Sequence, residues 1–573
     1  MIFIDFEVTK YDWLCVIIDP FEKKYINVVN DPAKLELIYQ HYKKDIWVGY
    51  NIRGYDQYIL KSILFGYDPK EVNDFIILDH MKGWEYSKEF NRISLHYYDA
   101  MTKVISLKTL ESFMGNDIRE SQVSFDIDRK LTEEEINELL MYCTHDVEQL
   151  IEVFLQNKSE FDSQIAVLNT FDLPINHIGK TQTQLAAVAL GCVKKKYDDE
   201  WMYEIIDTLR ISKYQNVVNW FKNNRFVQSY DDSLHIDVCG VPHIFGWGGL
   251  HGAPDHPLHE KGCLIHVDVT SFYPSIMIEY DMLSRNVSDK SVYKKIYDQR
   301  VELKKAGKKK EQAPYKLILN KTYGGSKDVF SALYDPRKAN EVCINGQLLL
   351  LDLLEHLEGY CKIIQSNTDG LIIKIEDTDE AFEKIDDICY EWETRTHMSL
   401  GFDFIKEIYQ KDVNNYLWID EDDQVTRIGA YVKPLNDLDN DLPIINKALV
   451  ERMVNKTPIE ETINNCNELK MFQKTVKVSD LYLCGMHNGW KLIDKTFRVF
   501  ASKRKNDSAI YKVKDKDGVE VPEKFANTPE HCFIENGDIN GVKVPDHLDK
   551  DWYIQFAKNR LDQFGIKDQY ELS

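Results

Sequence analysis

Acidic side chains recur in this sequence at spacings that would let them share divalent cations. Asp5 and Glu7 stand two apart after an apolar start, so on a strand their side chains leave the same face. Asp56 ends the segment Asn51-x-x-x-Tyr55-Asp56, and Tyr142 and Asp146 are one helical turn apart. Further on, Asp268 follows the apolar run Cys263–Val267, and Asp369 lies in Asn367-Thr-Asp-Gly370. Carboxylates gathered in one place repel each other unless cations hold them, and their hard oxygens suit Mg²⁺ or Mn²⁺. Two ions held this way can activate a water and stabilise the leaving oxygen of a phosphodiester.

These acids need elements to present them. Ile2–Ile4 and Trp13–Ile18 read as strands around a turn, and Glu133–Leu155 reads as a long helix. Thr132 with Glu135 three positions on gives that helix a capping-box start. Asp-Gly between the β-branched runs Tyr360–Gln365 and Leu371–Ile375 predicts a hairpin with Asp369 at its tip. Lys294–Lys305 and Pro314–Thr322 read as two charged helices joined by a loop over Ala306–Gln312, and Gly346–Leu357 as a further helix. Arg300 and Lys304 on the first charged helix, and Lys316 and Asn320 on the second, are each one turn apart. Facing helices would then offer cations to a triphosphate.

The ordered set Asp5-x-Glu7, Asn51…Asp56 and Tyr142…Asp146 resembles the three motifs of DEDD exonucleases of the tyrosine subtype. That resemblance implies metal binding by Asp5, Glu7, Asp56 and Asp146, a water-orienting Tyr142, and contact of Asn51 with a single-stranded 3′ end. Asp268-Val-Thr-Ser-Phe-Tyr-Pro-Ser275, Lys316-x-x-x-Asn320-Lys-Thr-Tyr323-Gly324 and Asn367-Thr-Asp369-Gly370 resemble motifs A, B and C of family B DNA polymerases, in that order. Lys321 replaces the usual serine of motif B, and Asn367 the first aspartate of motif C. The resemblance implies a right-hand palm, fingers and thumb behind an RNase H-like exonuclease domain. It makes Asp268, Asp369 and the Val269 carbonyl metal ligands, and gives dNTP contacts to Arg300, Lys304, Lys316, Asn320 and Tyr273. Tyr273 would stack under the sugar and exclude a 2′-hydroxyl. Tyr323, Gly324 and Tyr416 are expected at DNA, with Lys411 standing in for a lysine the family places near Tyr416. Trp247-Gly248-Gly249 is either the family's template-contacting loop or a plain glycine-rich turn.

The expected layout is α/β and α+β. An exonuclease domain spans 1–165, a connecting and template-binding region 166–260, palm 261–290, fingers 291–325, palm 326–432, and a thumb with the C-terminal region 433–573. The cofactor is Mg²⁺, two per active site with Mn²⁺ as a substitute, and the partners are primer–template DNA, dNTPs, and processivity or replisome proteins. The activities implied are primer extension and 3′→5′ proofreading; the competing reading is an exonuclease whose polymerase half has decayed into a DNA-binding module. Asp268 to Lys316 is 48 residues and Lys316 to Asp369 is 53, which leaves no room for the insertions of protein-primed phage enzymes. A compact phage- or mobile-element-type polymerase without a terminal-protein primer is therefore expected. The first motif begins at residue 5, so no additional amino-terminal domain is expected either.

Composition narrows less. A hydrophobic fraction of 43% over 573 residues is that of a globular chain of several domains. No apolar run is long enough to span a bilayer, and acids stand where a signal peptide needs basic residues, so a cytoplasmic protein without membrane partners is expected. The eleven cysteines include no C-x-x-C pair, which removes the usual signal for zinc or an iron–sulfur cluster. The net charge of −23 requires any nucleic-acid surface to be local. Arg300–Lys310 and Lys495–Lys505 are the two candidate basic stretches, the second a candidate phosphate grip for the thumb.

Overall fold

The computed structural model describes residues 1–566 and divides into two compact units. The first holds 1–179, 435–444 and 463–554; the second holds 180–434, 445–462 and the chain from 555 on. Residues 433–573, expected as one thumb region, are thus distributed over both units, with 567–573 outside the described residues.

In the first unit a five-stranded sheet runs Lys24–Val29, Trp13–Asp19, Ile2–Val8, Ile46–Gly49, His96–Asp99. The first three strands are antiparallel, and Ile46–Gly49 is parallel to both of its neighbours. Trp13–Asp19 is buried at every position, as its apolar sequence requires of a strand covered on both faces. Ile2–Val8 alternates at its end, with Asp5 and Glu7 half-buried on one face between buried Ile4, Phe6 and Val8. Phe3 shares the face of Asp5 and meets Phe154 edge to face at 5.3 Å, so helix Glu133–Gln156 lies on that side. This helix starts at Thr132 with both halves of the expected capping box.

The later segments of the same unit add a three-stranded sheet of Lys474–Lys477, Thr496–Ala501 and Cys532–Ile534, and a four-stranded one of Trp490–Leu492, Cys484–His487, Tyr511–Lys516 and Val519–Lys524. Thr496–Ala501 is buried throughout, and helix Leu107–Met114 packs on it. Arg498, the centre of the basic stretch expected to grip phosphates, is wholly buried. It donates to the carbonyls of Glu111, Ser112, Asn116, Glu535 and Gly537. The reading of Lys495–Lys505 as one basic surface is corrected accordingly, because a strand core takes its middle; only Lys503, Arg504 and Lys505 form an exposed basic cluster.

The second unit is built on a nine-stranded sheet centred on Leu258–Val269, which pairs antiparallel with Leu400–Asp412 on one side and Gly370–Lys374 on the other. Its outer strands are Asn415–Asp420 and Val425–Ile428 at one end. Lys362–Asn367, His251–Gly252, Val241–Phe245 and Leu234–Val238 complete the other. Helix Pro336–Leu357 is buried along most of its length beneath helices Phe272–Glu279, Lys309–Lys327 and Asp379–Thr396. Its buried Asp352 is held by Arg395 at 2.8 Å, so the charge is paired where it is desolvated. The two charged helices are longer than their sequence predicts, Lys290–Lys305 and Lys309–Lys327, and the expected loop shrinks to 306–308. Pro314 lies inside the second helix. The carbonyl it leaves without a donor belongs to exposed Lys310, where water can serve.

Candidate active sites

The acids of the first unit converge. Helix Asp56–Phe65 is launched by a turn in which Gly54 and Tyr55 donate to the Asn51 carbonyl, with Asn51 at φ 66°. Asp99, at the end of its strand, pins this turn by accepting from the backbone N–H groups of Asn51, Arg53 and Met101. A Cβ at Gly54 would sit 2.5 Å from Asn51 Oδ1, so the Asn51 side chain lies over the turn. Nothing in the sequence around Asp99 marked it, since its role is set by strand pairing.

Burial, then the charge of Asp146, lifts Asp5 to about 7. Burial and Asp5 push Asp56 and Glu7 well above the usual carboxylate range, and Glu7 also feels Asp146. Asp146 is lifted to about 6 by burial against the opposing pull of Lys108. Burial, then Asp146, drives Tyr142 upward, so its phenol stays protonated. Asp56 is 2% exposed, and its Oδ1 has no hydrogen-bond partner. Four desolvated acids that raise one another, one with an orphaned oxygen, fit divalent cations.

Lys108, Glu111, Cys143 and His145 also belong to this site and escaped the sequence reading, because none sits at a motif position. The Lys108 ammonium bonds Asp146, lies 3.1 Å from Glu111 Oε1 and 4.6 Å from the Tyr142 ring centre. Burial opposes its charge, but Asp146 and Glu111 outweigh that and raise it. A mostly polar groove of about 480 Å³, lined by Arg119, Glu120, Glu138, Met141, Tyr142 and Asp494 among others, opens beside Tyr142.

These shifts predict a pH dependence. A carboxyl raised from 3.8 to about 7 binds its proton more tightly folded than unfolded. Metal-free protein should therefore lose stability as pH rises from about 4 to about 7. Added Mg²⁺ should raise the melting temperature more at pH 8 than at pH 5, by thermal melts at both; an equal gain at both pH values would remove the acids from the metal site.

In the second unit strand pairing sets the geometry. Gly370 pairs with Asp268, and the Val269 N–H donates to the Asp369 carbonyl at 2.8 Å, which places the two aspartates side by side. A Cβ on Gly370 would meet the Val267 carbonyl oxygen at 2.9 Å. The tip is a three-residue turn closed by Asp369 N–H to the Asn367 carbonyl at 2.6 Å, with Thr368 at φ 52°. A β-branched residue in the left-handed region is strained, and such strain is held only by surrounding contacts. Here the Thr368 N–H donates to the Leu250 carbonyl, and Gly249 leaves room for the threonine, since a Cβ at 249 would lie 2.5 Å from Oγ1.

Burial, then Asp369, lifts Asp268 to about 6, with His266 and Lys304 pulling the other way. Burial also raises Asp369. The pair therefore fits hard divalent cations. Ser271, at φ 51°, turns the chain from Asp268 into helix Phe272–Glu279 and accepts from Arg300. Arg300 is 8% exposed with Nε unpartnered, and burial lowers it. Lys304, Lys316 and Asn320 are exposed, and among the described residues no hydrogen bond links the last two to either aspartate. Tyr273 lies tilted against Tyr323, ring centres 4.4 Å apart at 52°, over Gly346, where a Cβ would meet its Cε1 at 3.2 Å.

The remaining expected DNA contacts are placed unevenly. Gly248 and Gly324 are exposed with open space at Cα, but Trp247 packs into a cluster with Trp201 and Tyr230, both at 5.1 Å. Lys327 holds the Trp247 carbonyl at 2.5 Å. Tyr416 is buried at 7% exposure, its ring stacked on Trp418 with centres 5.5 Å apart. Lys411 is paired with Asp412 at 2.6 Å. Asn367 is itself engaged, with Nδ2 donating to the Val413 carbonyl at 3.4 Å and Oδ1 accepting from the Thr368 hydroxyl at 3.3 Å.

Among the described residues no helix is long and apolar enough to cross a membrane. No protein-family model matches the chain, and neither does any curated protein. Among solved structures it is similar to a family B DNA polymerase from the hyperthermophilic archaeon Pyrobaculum calidifontis, with a TM-score of 0.41 and 12% sequence identity over 100% of this chain and 78% of that one.

Proposed function

We propose that this protein is a template-directed DNA polymerase with its own 3′→5′ exonuclease. The observation that carries the reading is the pairing of Gly370 with Asp268, which sets two motif aspartates side by side. Arg300 reaches into the turn after Asp268, and the Lys304 charge bears on that aspartate. Bound at each site, two divalent cations would supply charge stabilisation to an in-line phosphoryl transfer and lower the pKa of the attacking hydroxyl or water. Asp268 and Asp369, with the Val269 carbonyl, would hold them in the polymerase site. Arg300, Lys304, Lys316 and Asn320 would bind the triphosphate, and Tyr273, braced by Tyr323 over Gly346, would exclude a ribose 2′-hydroxyl.

In the other site Asp5, Glu7, Asp56 and Asp146 would hold the ions, and the protonated Tyr142 would orient the water by donating its phenolic hydrogen bond. The sheet order of the first unit, three antiparallel strands followed by two parallel ones, supports an RNase H-like frame for it. We place the enzyme among compact phage- or mobile-element-type polymerases that extend nucleic-acid primers; initiation on a protein tyrosine would overturn that placement. The engagement of Asn367 favours a second reading, an exonuclease whose polymerase half only binds DNA.

The deciding experiment incubates the protein with a 5′-labelled primer–template and Mg²⁺, with and without dNTPs, beside Asp369→Ala and Asp5→Ala. Extension lost only in Asp369→Ala, with shortening lost only in Asp5→Ala, is expected. Shortening without any extension under Mg²⁺ or Mn²⁺ would select the second reading.

A further inference from the structure

A thiol stands among the acids of the first unit's site. Cys143 is wholly buried, one residue beyond Tyr142, on the helix face that also carries Leu139, Asp146 and Val147 inward. Its Sγ donates to Asp5 Oδ2 at 3.3 Å and lies 3.6 Å from the Asp5 carbonyl. The ligand atoms of Asp5, Glu7 and Cys143 all lie within 4.8 Å of one another. Independently, the buried Asp56 Oδ1 has no hydrogen-bond partner, and Asp5 acts on that carboxylate more strongly than any other charge.

Hard cations have little use for sulfur, whereas a thiolate beside two carboxylates is a donor set for a softer ion. Zinc bonds of about 2.3 Å to sulfur and about 2.0–2.2 Å to a carboxylate oxygen can span a 3.3 Å separation on one ion. We infer that Asp5, Glu7 and Cys143 form a three-ligand site for a thiophilic divalent cation such as Zn²⁺ or Cd²⁺, which captures the carboxylates that the hard cation needs. On binding, the Cys143 S–H proton leaves to solvent and the thiolate ligates the ion. The functional consequence, zinc inhibition of primer shortening, rests on the nuclease reading; the binding itself does not. Among the described residues no comparable group lies at Asp268 and Asp369; the other such group is Glu111, His145 and Asp146, without sulfur.

The test titrates Cd²⁺ into the reduced, metal-free full chain and follows the ultraviolet sulfur-to-cadmium charge-transfer band. The difference between wild type and Cys143→Ser should contain one thiolate band that saturates at one equivalent. Identical bands in the two proteins, as other cysteines would produce, overturn the proposal. Glu7→Gln keeps the thiol and covers the case in which Cys143→Ser fails to fold. Its midpoint should move at least about tenfold, the cost of losing even an outer partner of a metal site, and an unmoved midpoint also overturns the proposal. Zinc titrated against primer shortening in Mg²⁺ should inhibit wild type at lower concentration than Cys143→Ser, each scaled to its own zinc-free rate. A thiolate band in a protein that shortens no primer would sink the nuclease reading and leave the metal site standing.

Discussion

Asp268→Asn should cut dNTP extension by about 10³-fold or more, roughly 4 kcal/mol of transition-state stabilisation, while primer shortening continues. The change removes one charge and leaves the shape, so it reports on the carboxylate. Among the described residues no cation is bonded to Asp268; His266 and Lys304 act on it through their charge, and burial and Asp369 hold it near 6. Such a carboxylate is of use in binding a cation and costs folding free energy otherwise. Asn367→Ala is the informative companion. Its amide is spent on the Val413 carbonyl and the Thr368 hydroxyl, so its loss should cost extension about tenfold or less, through loosening of the Thr368 turn. Single-turnover extension rates of the two variants check both. Equal losses would mean that Asn367 itself holds the ion, and the present assignment of ligands would fall.

Arg498→Met should destabilise the first unit by about 3–5 kcal/mol, the scale seen when one member of a buried charged network is removed. Burial, opposed by Glu535 and other acids, lowers the guanidinium to about 10, which still leaves it charged at neutral pH. Its donors bind carbonyls of 111, 112 and 116 on one side and of 535 and 537 on the other, joining segments more than four hundred residues apart in sequence. Methionine fills much of the volume but leaves those carbonyls without a donor in a place water does not reach. Helix Leu107–Met114, which carries Lys108 and Glu111 to Asp146, would lose its anchor, so shortening should fall with stability. Denaturant midpoints followed by fluorescence test this, and a variant within about 0.5 kcal/mol of wild type, the range of ordinary surface changes, would show Arg498 to be dispensable.

Local pattern was enough for much of the frame. The apolar start Ile2–Ile4, the capping box at Thr132 and the Asp-Gly hairpin around Asp369 each declare themselves within a few residues, and the structure has all three, the first as part of a longer strand Ile2–Val8. The acids were legible for the same reason: strand and helix periods alone put Asp5 with Glu7 and Tyr142 with Asp146 on common faces. What periodicity cannot carry is pairing between distant segments. Asp99 acts through a turn 45 or more residues away, Lys108 reaches Asp146 across two elements, and Arg498 reads as surface charge until the strand around it is buried. Tyr416 and Trp247 turn inward for the same reason, since whether an aromatic ring faces DNA or a core depends on which elements pack against it. The sequence by itself determined which groups could do chemistry; only the tertiary structure decided which cations, thiols and backbone carbonyls stand beside them, because burial and charge at a site are sums over neighbours that the chain order does not contain.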